Sequence, residues 1–235
     1  EQTLPRAGMA TPSPDVAFES FVFLDLETTT LNRRRVRTAE ISLSAVHRCS
    51  LEEPESDPES DSEWEFPLPP RIVDKLTLCL DPQKPFAHRA MELTGLSNRS
   101  LKENGKPGFD QALVQAVCGF LMRQPGPVCL VAHNGYNFDF PLLRRELDRL
   151  GEDLPSNLWC LDTLPALQEL EGHARMSYSL SNLYKYYYGQ EPDPDRAHSA
   201  EGDVETLLMV FLYRAEGLMA WAEENAPRWN EIEPM

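Results

Sequence analysis

The chain has 235 residues, 41% of them hydrophobic, a formal charge of −16 and five cysteines. That length and apolar share suit one large buried core, while no apolar run approaches the roughly 20 residues that span a bilayer, and no charged, apolar, then small-residue leader opens the sequence. The cysteines are odd in number and form no C-x-x-C pair, which argues against a disulfide framework or zinc site and for free thiols in an intracellular, reducing compartment, cytoplasm or nucleus.

Residues 1–17 carry three prolines and few apolar side chains, and read as a flexible lead-in to a single domain over 18–235. Phe21 to Leu24 forms a buried first strand, and Asp25 and Glu27, two residues apart, leave its end on one face. The segment EISLSAVH, Glu40 to His47, alternates apolar with polar and predicts a half-exposed second strand. Residues 52–65 hold eight acids and no bases, half of the net excess. This composition predicts a solvated, disordered insertion at about 52–66, and leaves the remaining surface only mildly acidic. A mildly acidic surface suits a protein that grips one end of a polynucleotide better than one that coats a duplex.

Leu76 to Leu80 reads as a third strand. Asp110 caps a helix with Leu113, Val117, Phe120 and Leu121 on one face. Val128 to Ala132 is a fourth strand, followed by a turn at Gly135 and a helix through Phe140, Leu143, Leu147 and Leu150, with Asp139 at its start. Leu158 to Leu161 is a fifth strand with a helical pattern after it. Finally, Ser199 caps a helix carrying Val204, Leu207, Leu208, Phe211, Ala215 and Leu218, with His198 on the loop before it and Asp203 in its first turns. Three strands and then alternating helices and strands imply an α/β fold, a mixed five-stranded sheet with helices on both faces.

The chemistry lies in Asp25, Glu27, Asp139, His198 and Asp203. Taken alone, each acid reads as an ordinary polar turn residue and the histidine as a surface residue. Together they are four carboxylates that repel one another unless divalent cations intervene, with oxygen donors suited to Mg²⁺ or Mn²⁺. A histidine beside them supplies a base that works near neutral pH. Leu31, just beyond the first pair, is placed to wedge against a terminal base, and Leu93 and Phe138 to pack on sugar or base, although rim packing explains them equally well. His133, before an Asn-Gly pair, is expected to shape the site. Arg33, Arg34, Arg35 and Arg37 form the basic run that could guide a strand inward.

The segments FLDLETT, HNGYNFDFPLL and HSAEGD resemble the three motifs of DnaQ-like 3′-to-5′ exonucleases of the DEDDh type, whose last motif is His-x-x-x-x-Asp. Beyond them, LPPRIVDKLTLCLDP, LTGLS, CLVAHNG, DTLPAL, YSLSNLY and the closing IEPM are similar to the three-prime repair exonucleases. The resemblance implies a ribonuclease-H-like fold and two Mg²⁺ ions, replaceable by Mn²⁺, held by Asp25, Glu27, Asp139 and Asp203, with His198 as base. It implies 3′-to-5′ hydrolysis of single-stranded DNA and of frayed or mismatched 3′ ends to 5′-mononucleotides, in DNA repair or degradation. It places Ser177, Tyr178 and Arg175 by the DNA backbone, and joins two copies edge to edge through Leu76 to Leu80. Where the family often has Ala-Thr-Gly-Leu, this chain has Thr28, Thr29, Thr30 and Leu31, so a changed loop is expected near Leu31. An exoribonuclease of the same superfamily and a catalytically silent nucleic-acid-binding module are the competing readings. A dinucleotide-binding fold is disfavoured, because no glycine-rich loop follows the first strand.

Overall fold

The computed structural model describes residues 16–52, 67–172 and 177–235. Most of the lead-in, nearly all of the acidic insertion, His173 and Arg175 lie outside the described residues. In chain order the elements are β1 (Ser20–Thr28), β2 (Thr38–His47), α1 (Cys49–Glu52), β3 (Asp74–Cys79), α2 (His88–Thr94), α3 (Asn98–Glu103) and α4 (Gln111–Met122). There follow β4 (Val128–Ala132), α5 (Asp139–Asp148), β5 (Leu158–Asp162), α6 (Thr163–Leu170), α7 (Leu180–Tyr188), α8 (Ala200–Tyr213) and α9 (Ala215–Asn225), closed by a 3₁₀ turn at Trp229–Glu231.

The strands form one sheet in the order β3-β2-β1-β4-β5. β2 runs antiparallel to both of its neighbours, whereas β1, β4 and β5 are parallel. Alternation along β1 divides the interior in two. Val22, Leu24 and Leu26 point into a core shared with Val114, Val117, Phe140 and Leu143 of α4 and α5. Phe21 and Phe23 point into the other, against Val204, Leu207 and Phe211 of α8, and the Phe23 and Phe211 rings meet edge to face at 5.1 Å. Asp25 and Glu27 share the parity of Phe21 and Phe23. They therefore continue the α8-facing row of β1 at its C-terminal end.

Several expectations hold. β4 covers the predicted residues, Asp110 accepts the backbone N–H of Leu113, and Ser199 accepts that of Gly202. Others need correction. β1 extends through Thr28, so its two acids lie within the strand rather than beyond it. β2 is buried on both faces except at Glu40, which is half-buried, and His47, which is exposed. Its polar positions Ser42 and Ser44 lie opposite Asp25 and Phe23 in register, and so face α8. Serine there is small enough to let the helix lie close. The closing helix breaks at Arg214, whose φ of −124° leaves the helical region, and Ala215 and Leu218 belong to α9, which turns to pack on α6 and β5. Leu150 lies past the end of α5 and is exposed. All five cysteines are free, and burial pushes the Cys129 and Cys160 thiols up. Among the described residues no helix is long and apolar enough to cross a membrane.

Candidate active site

The C-terminal end of β1, the first turn of α8 and the start of α5 bring the acids together. One carboxylate oxygen from each of Asp25, Glu27 and Asp203 lies within 4.8 Å of the others. Asp139, the first residue of α5, is buried; the backbone N–H groups of Leu26 and of Asp139 itself favour its charged form. Burial nevertheless pushes Asp139 up to about 7. Asp25 is raised well above the usual carboxylate range, first by burial and then by the charges of Asp139, Asp203, Glu27 and Glu40. Glu27 is pushed up to about 8 by burial, with Asp203, Glu40 and Asp139 adding to it. Burial also raises Asp203, against the opposing effect of His198. Such crowding of like charge is stable in the ionised form only with cations to share it. Because all the donors are carboxylate oxygens, the set fits hard divalent ions such as Mg²⁺ or Mn²⁺.

His198 occupies the loop before α8, exposed, with a left-handed φ of 61°. That conformation is uncommon for a residue with a side chain and marks a constrained position. The constraint comes from its neighbours. Arg196 and Ala197 donate their N–H groups to the Asp193 carbonyl at 3.2 and 3.1 Å, and Ser199 Oγ donates to the Arg196 carbonyl at 2.7 Å. Gly202 presses on the same carbonyl so closely that a Cβ there would collide with it. His198 and Asp203 thus come from one short stretch in two different conformations. His198 is turned out on the loop, and Asp203 is fixed by the helix.

The remaining predicted residues divide. Leu31 is 81% exposed just past β1, free to meet a substrate. Its loop takes no positive φ, so Thr30 in place of glycine carries no strain. Arg33, Arg34 and Arg35 are exposed, but Arg37 is not a guiding charge, since it is buried against Glu146 with Nε 2.8 Å from Oε1. His133 has both ring nitrogens engaged within the protein. Its Nδ1 pairs with Thr163 Oγ1 at 2.9 Å and its Nε2 with the Tyr178 carbonyl at 2.7 Å, so it anchors the SYSL segment from below. Tyr178 is half-buried against the α8-side core, with its hydroxyl buried as well, while Ser177 stands exposed. Phe138 is half-buried at the N-cap of α5 and Leu93 half-buried on α2. Gly135 serves by close approach, because a Cβ there would lie 2.7 Å from the Ala132 Cβ.

Two features escaped the sequence. Glu40 lies directly across from Glu27 in the β1–β2 ladder, a register that the strand pattern alone does not specify. Arg145 and Glu146 of α5 clamp the loop that carries Leu31: Arg145 Nη1 donates to the Arg33 carbonyl at 2.9 Å and Nη2 to that of Val36 at 2.5 Å, and Glu146 takes Arg37. Both read as ordinary charges on an amphipathic helix.

Comparison with known proteins agrees with this geometry. The RNase_T exonuclease family model matches residues 22–211. Three prime repair exonuclease 2 of Mus musculus is 53% identical over 225 residues, which cover 92% of each chain. Three-prime repair exonuclease 1 of Bos taurus is 43% identical over 230 residues, 94% of this chain and 72% of the relative. The nuclease domain of 3′hExo, a DEDDh family member solved with rAMP, superposes with a TM-score of 0.64 at 13% identity, over 91% of this chain and 98% of that one, which speaks to the ribonuclease-H-like fold. With its acids and histidine in the DEDDh order, this chain belongs to the three prime repair exonuclease family.

Proposed function

We propose that the chain is a divalent-metal-dependent 3′-to-5′ exodeoxyribonuclease that trims single-stranded DNA and frayed or mismatched 3′ ends to 5′-mononucleotides. The observation that carries this reading is the convergence of Asp25, Glu27 and Asp203 within 4.8 Å, with Asp139 close enough to raise Asp25. Two divalent cations bound by these four carboxylates would supply the charge that activates an attacking water and neutralises the departing 3′ oxygen. The chain's own groups do the rest. His198 accepts the proton of the attacking water on an unprotonated ring nitrogen, and its exposed loop lets the proton pass on to solvent. Leu31 packs against the terminal base, and Ser177 meets the DNA backbone.

The names of the relatives support a substrate with a 3′ end to be repaired. Digestion of matched 3′- and 5′-labelled DNA and RNA oligonucleotides in Mg²⁺ tests polarity, sugar and strandedness at once. Loss of 3′ label as mononucleotide from DNA is expected; equal or faster attack on RNA moves the assignment to an exoribonuclease, and chelator-insensitive binding without release moves it to a silent module.

A homodimer through β3 is part of the same proposal. Among the described residues β3 pairs with β2 alone, and Leu76 and Leu78 on it are half-buried. An edge of this kind is a template for a second copy. Sedimentation at micromolar concentration would give twice the 26.7 kDa chain mass. The free thiols support a reducing, intracellular setting.

A further inference from the structure

Glu40 is a fifth carboxylate at the acidic cluster. It lies opposite Glu27 in the β1–β2 register and therefore on the same face of the sheet, where like charges directly across a ladder are unfavourable. Its charge raises both Asp25 and Glu27. A group that worsens the crowding of the metal-ligand acids needs an offsetting role, and its hydrogen bonds supply one. Oε2 accepts the backbone N–H of Ala200 at 2.8 Å, and Oε1 accepts the Cys79 thiol at 3.4 Å. Burial, with Glu40 itself, holds that thiol up at about 11, so it stays a donor. Both oxygens thus have partners of their own, and Glu40 falls outside the trio whose oxygens converge.

Ala200 is the first residue of α8, one of the positions whose N–H has no partner within a helix, and it is fully buried. Glu40 satisfies that N–H and places a negative charge at the positive end of the 14-residue helix. Ser199 caps the third helical residue at the same time, through Gly202. The first turn of α8 is therefore pinned from within by Ser199 and from β2 by Glu40. His198 lies two residues before that pin and Asp203 three residues after it. We infer that Glu40 is a positioning residue that fixes the start of α8 against the β1 carboxylates, and so sets His198 and Asp203 in register with Asp25 and Glu27.

The inference rests on the proposed nuclease reading for its effect on rate, but its structural half can be read separately. In the unaltered chain, NMR should show the Ala200 amide exchanging slowly, unlike an ordinary first amide of a helix; a freely exchanging Ala200 overturns the inference without any variant. In Glu40→Ala the amides of residues 198–204 should exchange about 10- to 100-fold faster, the usual effect of removing a charged partner. DNA hydrolysis should fall about 10- to 100-fold in kcat with KM for DNA little changed, and Mn²⁺ affinity measured by electron paramagnetic resonance should weaken with it, because Asp203 is one of the acids that Glu40 positions. Glu40→Gln keeps an acceptor for Ala200 and should recover both protection and most of the rate. If Glu40→Gln is as impaired as Glu40→Ala, or if both lose Mn²⁺, Glu40 acts as charge or ligand and the positioning role is wrong. An unaltered chain with a protected Ala200 but no nuclease activity would sink the function proposal and leave the structural pin standing.

Discussion

The β1 half of the site and the α8-loop half are built in opposite ways. Asp25 and Glu27 project from the central strand of the sheet, where their backbone is laddered to Ser42 and Glu40 of antiparallel β2 just beyond the last β4 pair at Phe23. His198 stands on an exposed loop with positive φ, shaped by three hydrogen bonds among its neighbours and the collision limit at Gly202. The rigid half suits groups that must stay put under mutual repulsion, and the turned-out loop suits a base that has to exchange its proton with water. The acids should thus be needed for cation binding and for rate together, while the loop should be needed for rate alone.

The largest effect should come from the rigid half. Asp25→Asn should lower DNA hydrolysis by ~10³-fold or more, several kcal/mol of transition-state stabilisation, and should weaken Mn²⁺ binding measured by calorimetry. Intact Mn²⁺ affinity in that variant would break the division of labour. His198→Ala should lower kcat by ~10²- to 10⁴-fold with Mn²⁺ affinity kept. Gly202→Ala should mimic it in activity, since the loop must move off the Arg196 carbonyl, and should cost about 1–3 kcal/mol of stability from overpacking. A fully active Gly202→Ala enzyme would show that the loop is not held as described.

The crowding of the acids also gives the β1 half a response to pH. Glu27 has its pKa raised in the folded chain from 4.5 to about 8, so the folded state favours the proton more than the unfolded state does. Its contribution to stability is therefore complete below about pH 4.5 and is lost as pH rises through about 8. Metal-free protein in chelator should accordingly lose Tm across that window, Glu27→Gln should flatten the loss, and Mg²⁺ should restore more Tm at the alkaline end. At about 2–4 °C per kcal/mol for a chain of this size, the change is readable by calorimetry. A Tm that rises across the window in chelator would contradict the crowding of the acids. The smallest effect is expected at the Leu31 loop. Arg145→Ala should raise KM for single-stranded DNA a few-fold with kcat nearly unchanged, because it frees two backbone carbonyls of that loop without touching an acid.

Much of this was legible in the residues. The spacing Asp25-x-Glu27 after an apolar run, Asp139 at a helix start and His198 five residues before Asp203 pointed to four acids of the cluster and the candidate base, though not to Glu40. Strand positions, the Asp110 and Ser199 caps and the α/β class followed from local pattern, because period-two alternation, helical spacing and capping chemistry act over a few residues. Where the reading failed, a long-range contact decided. Arg37 looked like one of four guiding arginines until Glu146, more than a hundred positions away, buried it. How His133 shapes the site was likewise set at long range, by Thr163 and Tyr178, which claim both ring nitrogens. EISLSAVH looked half-exposed because its serines are polar, whereas α8 covers them. Glu40 is the sharpest case, since its partners on β1, β3 and α8 come from three separate stretches of chain.

The amino-acid order by itself determined which side chains could carry the chemistry, since residue type and short spacing are local properties fixed before folding. Only the folded chain decided which of them share one cleft and which are spent holding it together. Strand register, helix packing and the pairing of buried charges depend on distances between segments far apart in sequence, and no local pattern encodes those distances.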